Sequence, residues 1–153
     1  MAEIPADTPT MVEPPSNLSI HKIYVKDVSF ESPSSPAIFN EAWQPQVEIN
    51  VQNTGRKVGE AVFEVVLSVT VTAKIGEHVA FLIEVQQAGL FEFPGVSDDD
   101  ARPLVGATCP GILYPYAREV VSDVITRGGF PALLLAPADF EAIYKQREAD
   151  TQG

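Results

Sequence analysis

Phe63-Glu64-Val65-Val66-Leu67-Ser68-Val69-Thr70-Val71-Thr72-Ala73-Lys74 alternates apolar and polar side chains along its whole length. Phe63, Val65, Leu67, Val69, Val71 and Ala73 fall on one side; Glu64, Ser68, Thr70, Thr72 and Lys74 fall on the other, with Val66 the one apolar intruder. A period of two sustained this long predicts a half-buried strand of an antiparallel sheet. Ile75-Gly76-Glu77 is a tight turn, and residues 79–87 repeat the pattern, with Phe81, Ile83 and Val85 opposite Leu82, Glu84 and Gln86. Upstream, Val47, Ile49 and Val51 alternate with Gln46, Glu48, Asn50 and Gln52, which predicts another strand, and residues 53–59 read as the turn that follows it. Residues 18–30, rich in Ile, Val, Tyr and Phe, predict the first strand. Ser32-Pro33-Ser34-Ser35-Pro36 ends it and opens a loop that carries Phe39 and Trp43 on to Pro45. Short turns between alternating strands imply an antiparallel meander.

Beyond Asp98-Asp99-Asp100, read as a solvated loop, the period changes. Leu113, Tyr116, Ala117, Val120, Val121, Val124 and Ile125 recur at helical spacing, Pro110 and Pro115 sit early, and Gly128-Gly129 supplies the stop. A second helix is predicted from about Pro137, with Phe140, Ile143 and Tyr144 on one stripe and Glu141 and Lys145 spaced to pair. Four strands followed by two helices predict an α+β fold, a four-stranded antiparallel sheet with two α-helices on one face. Residues 1–17, acidic and broken by four prolines, read as a disordered tail, residues 18–147 as a single domain and residues 148–153 as a short flexible tail.

The chain has 153 residues, with 21 acidic and 10 basic side chains and a net charge of −11. That balance argues against nucleic acid and anionic membrane as partners, both of which ask for excess Lys and Arg. It favours a soluble protein whose acids meet a basic partner. The lone Cys109 makes no internal disulfide, residues 1–17 lack the basic segment of a secretory signal, and no apolar run is long enough for a membrane span. A cytoplasmic location is expected.

Catalytic chemistry finds little to work with. His21 and His78 have no metal-site neighbours, and Cys109 has no adjacent base. Nucleophile-elbow, Walker and dinucleotide-binding patterns are lacking, so no metal, cofactor or catalytic residue is expected. Two features remain. Asp27, Ser29 and Glu31 share one strand face, and Leu82 and Glu84 share the polar face of another, which suggests an acidic docking plate with one apolar anchor. Phe39 and Trp43 in the loop, Phe91 and Phe93 after the last strand and the apolar stripe of the last helix suggest walls of an apolar groove for an extended chain. A small thioesterase-like enzyme on a helix-backed sheet is the rival reading.

Five segments, in order, resemble the SecB protein-export chaperone family. They are Ile23-Tyr24-Val25-Lys26-Asp27-Val28-Ser29-Phe30-Glu31, Val65-Val66-Leu67-Ser68-Val69-Thr70-Val71-Thr72-Ala73, and Ala80-Phe81-Leu82-Ile83-Glu84-Val85-Gln86-Gln87-Ala88-Gly89. Cys109-Pro110-Gly111-Ile112-Leu113-Tyr114-Pro115-Tyr116-Ala117-Arg118-Glu119 and Arg127-Gly128-Gly129-Phe130-Pro131, continued by Leu134-Leu135-Ala136-Pro137, complete the match. The resemblance implies an ATP-independent holdase that keeps precursor proteins unfolded and delivers them to the motor SecA. It also implies a homotetramer built as a dimer of dimers, with no cofactor and no catalysis. SecA-contacting positions of the family fall on Asp27, Glu31, Leu82 and Glu84, and positions that influence assembly on Ile83, Val85 and Gln87. The client groove carries over to Phe39, Trp43, Phe91, Phe140 and Tyr144. Gly111 departs from the asparagine common in the family. An antitoxin-associated holdase of the same family is the second reading the resemblance allows.

Overall fold

The computed structural model describes residues 18–152; the expected tail at residues 1–17 lies outside them. Four strands, β1 (Ser19–Glu31), β2 (Gln46–Gly59), β3 (Val62–Ile75) and β4 (His78–Glu92), pair antiparallel in the order β1-β4-β3-β2. The alternation of β3 is realised as read: Val65, Leu67, Val69, Val71 and Ala73 are fully buried, and Phe81, Ile83 and Val85 of β4 lie beside them.

Two strands run longer than expected. β2 and β3 stay in register from Gln46 opposite Lys74 to Lys57 opposite Phe63, so residues 53–59 are strand and the turn is the pair Glu60-Ala61. Gly55 is not a turn residue. A Cβ there would stand 2.2 Å from Val105, so the glycine admits a helix against the strand. β4 continues to Glu92, which turns Phe91 from a loop residue into an inward-facing strand residue.

The helical layer begins at α1 (Asp98–Pro103), where the aspartates expected in a loop form the first turn. The Ser97 side chain accepts from the Asp100 N–H at 3.1 Å, and carboxylates suit the positive end of a helix. A wider π-type stretch, Leu104–Thr108, joins α1 to α2 (Cys109–Arg127). Pro110 has no N–H, and the Cys109 N–H reaches back to the Leu104 carbonyl, which fits a local widening. Pro115 therefore lies inside a helix rather than in its first turn. Gly128 and Gly129 end α2 as expected, Gly129 at φ +92°. The last helix, α3 (Phe140–Gln152), starts three residues later than expected, with Asp139 accepting from the Ala142 N–H at 3.0 Å, and it extends through residues 148–152, where a flexible tail was expected. Glu141 and Lys145 form no ion pair. α2 covers β4 and β3, while α3 packs on the π-type stretch through Tyr144, whose ring lies on Gly106.

Candidate functional site

Strand register assembles the acidic plate. Three neighbouring rows cross the face away from the helices: Asp27–Gln86–Ser68–Gln52, Ser29–Glu84–Thr70–Asn50 and Glu31–Leu82–Thr72–Glu48. Asp27, Glu31, Leu82 and Glu84 are thus on one surface, as strand parity predicted. Glu48, not singled out from the sequence, belongs to the same surface, because the β2–β3 pairing brings it into Leu82's row. The three rows contain no Lys or Arg, none of the four acids has an ion-pair partner among the described residues, and Leu82 is 37% exposed.

At the other end of this face the chemistry reverses. Glu64 is buried beneath a tie drawn from three strands. Its carboxylate accepts from the Tyr24 hydroxyl, from Lys26 Nζ at 2.9 Å and from Arg56 Nε at 3.1 Å. Tyr24 and Lys26 belong to β1 and Glu64 to β3, so both side chains span β4, where the small Ala88 leaves room. Donation from Tyr24, then from Lys26, outweighs burial and brings the Glu64 carboxyl from 4.5 down to about 2. Burial, then donation to Glu64, pushes the Tyr24 hydroxyl up to about 12.

The five groove candidates separate. Phe39 and Trp43, 49% and 36% exposed, pack on Phe130 with ring centroids 5.2 and 5.4 Å apart, and Trp43 stacks on Phe81 at 6.3 Å. Phe130 is the floor that sequence reading missed; its place after Gly128-Gly129 was the available signal. Phe140 is buried edge-on against Tyr114 at 5.4 Å, and Tyr144 covers Gly106. Phe91 is fully buried within the chain. Phe81 and Phe91 stand ten residues apart on β4, about 33 Å, so the loop aromatics and those of α3 mark opposite ends of the fold.

Ile83, Val85 and Gln87 are likewise interior. Gln87 Nε2 donates to the Tyr24 carbonyl at 3.1 Å, and its buried Oε1 has no partner among the described residues. Gln87 borders a groove of about 780 Å³ between β1 and α2, lined also by Val25, Tyr116 and Leu134, all three exposed. Cys109 is fully buried, and burial pushes its thiol up to about 12, far from a reactive thiolate. No cluster of metal-ligating side chains and no helix long and apolar enough to cross a membrane occurs among the described residues.

The family model described as "Preprotein translocase subunit SecB" matches residues 12–151. The Protein-export protein SecB of Nitrosococcus oceani is 50% identical, over 90% of this chain and 85% of its own. That of Dechloromonas aromatica is 52% identical over 88% of each chain. Among solved structures, a Mycobacterium tuberculosis SecB-like chaperone in complex with a ChAD peptide from an antitoxin superposes with a TM-score of 0.61. It is 19% identical and covers 78% of this chain and 89% of its own, a likeness of fold alone. Matched along nearly its whole length, and identical to these relatives at about half of the aligned positions, the chain belongs to the SecB family.

Proposed function

We propose that this chain is an ATP-independent holdase that keeps precursor proteins unfolded in the cytoplasm and delivers them to SecA. The observation that carries the reading is family membership at about 50% identity across nearly the whole chain. Two features support it. Phe39 and Trp43 stand half open over Phe130, an apolar surface fit for side chains that a folded client would hide. Each large side chain buried there contributes about 1.5–3 kcal/mol, against the entropy of ordering the segment, so a long client held at several sites gains most. The unpaired acids Asp27, Glu31 and Glu84 around Leu82 suit a basic surface of SecA with one apolar contact.

A homotetramer is part of the proposal. The groove between β1 and α2, with the unpartnered Gln87 carbonyl and the exposed Val25, Tyr116 and Leu134, suits a second copy. Ile83 and Val85 would act on assembly through α2, against whose buried side they lie. The chain would act without catalysis, in keeping with an inert Cys109. Binding of one precursor, unfolded and folded, without nucleotide tests the reading. Capture of the unfolded form alone is expected; equal binding of both forms, or of neither, overturns it.

A further inference from the structure

A pocket of about 320 Å³ lies where the end of β2 meets α1, the π-type stretch and α3. Phe63, Val105 and Tyr144 give it apolar walls, and Arg56, Lys57 and Arg102 stand at its rim. Three of the chain's ten basic side chains thus gather at one opening. Arg56 Nε is engaged by Glu64, and Lys57 Nζ by Asp98 at 3.2 Å. Arg102, on α1, is exposed and has no carboxylate partner among the described residues. Glu148 faces it from α3 and is likewise unpaired among them. The α1 side of the rim therefore attracts a carboxylate, and the α3 side repels one.

Residues 1–17 join the described fold close by. Leu18 is buried in the core, and the row Ile20–Phe91–Phe63–Lys57 runs from the start of β1 to the pocket. Three strand spacings, about 14 Å, separate its two ends. Six residue steps lead back from Leu18 to Val12, a span of about 20 Å when extended. Pro14 and Pro15 stand in that span and favour extended backbone. Residues 1–17 carry Glu3, Asp7 and Glu13 without a Lys or Arg, and Met11-Val12 is their pair of adjoining large apolar side chains.

We infer that residues 1–17 dock on this pocket of their own chain, with Met11 and Val12 against Val105 and Tyr144 and the Glu13 carboxylate on Arg102. Reach, charge and the apolar pair agree on the same stretch of sequence. Repulsion from Glu148 turns the acid toward α1. Because the segment is tethered beside the pocket, its effective concentration there is high and modest contacts suffice to hold it. Any other ligand of the pocket must displace it first. Nothing in this arrangement depends on client binding.

The test measures a labelled peptide of residues 1–17 binding to the full chain by fluorescence anisotropy. In the parent, the chain's own segment competes for the pocket. Met11→Ser with Val12→Ser in the chain weakens that competitor, so the peptide is expected to bind this variant about tenfold more tightly than the parent. Adding Arg102→Glu to the double variant is expected to remove the gain, and a peptide carrying Glu13→Lys to restore it. Unchanged urea unfolding checks that each chain keeps its fold. Equal binding of the peptide to parent and double variant, or binding to neither, overturns the docking. So does a gain that survives Arg102→Glu, or a charge-swapped peptide that fails to bind, since either outcome places the segment elsewhere.

Discussion

The two ends of the sheet's outer face treat carboxylates in opposite ways. At one end Glu64 is buried and shared by Tyr24, Lys26 and Arg56. At the other, Asp27, Glu31, Glu48 and Glu84 stand in three adjacent rows without one base. A carboxylate that serves the fold is surrounded by donors, because burial without them is costly. A group of carboxylates left facing water contributes mutual repulsion and no stability. The comparison separates a structural acid from acids available to a partner.

The largest expected effect comes from breaking the structural end. Glu64→Ala removes the common acceptor of three side chains and is expected to lower unfolding free energy by about 1–3 kcal/mol, read as a lower urea midpoint. Glu84→Ala, by contrast, should stay within about 0.5 kcal/mol of the parent. SecA binding should show the reverse. Glu84→Lys is expected to weaken it about tenfold, equivalent to ~1.4 kcal/mol, while Glu64→Gln leaves it unchanged in whatever fraction is folded; isothermal titration measures both. Raising salt should weaken parent binding steeply, because exposed charges are screened beyond about 10 Å at 0.1 M. If Glu84→Lys binds SecA as the parent does, the open acids are not the docking surface.

Titration sharpens the contrast further. The Glu64 carboxyl is lowered in the folded chain, so its contribution to stability is complete above its ordinary value of 4.5 and disappears as pH falls toward about 2. The stability difference between the parent and Glu64→Gln should therefore be flat at neutral pH and shrink through that acid window. Tyr24 is raised, so its contribution holds below its ordinary value of 10 and disappears as pH climbs through about 12. The smallest effect belongs to Leu82→Ser. Its side chain is already partly in water, so stability should change by less than about 0.5 kcal/mol, while SecA affinity falls several-fold.

What was legible follows from how far each signal depends on distant residues. The buried half of β3 could be read directly, because its own alternation records which face meets the core. Parity also placed Asp27, Glu31, Leu82 and Glu84 on one surface; Glu48 required the register with β3, which no local pattern carries. Gly55 suggested a turn because its reason, Val105, lies fifty residues away. The three aspartates looked like loop because Ser97, their cap, precedes a helix whose apolar period is weak until Leu113. Phe91 was misplaced with the end of β4, and α3 carries its groove candidates to the far end of the fold. The resemblance named positions without showing which of them this chain leaves open.

The tie across Ala88 also governs alignment. A strand that slips by two residues keeps every side chain on its proper face, so polar–apolar patterning does not oppose that error. A slip of β1 that moves Tyr24 away from Lys22's place would carry Tyr24 and Lys26 about 7 Å further along the sheet, out of hydrogen-bonding reach of Glu64. Sliding β1 in that direction breaks both contacts together, which makes the strap a one-way lock against shear. The outer strand is thus pinned across, rather than along, the direction in which it would creep.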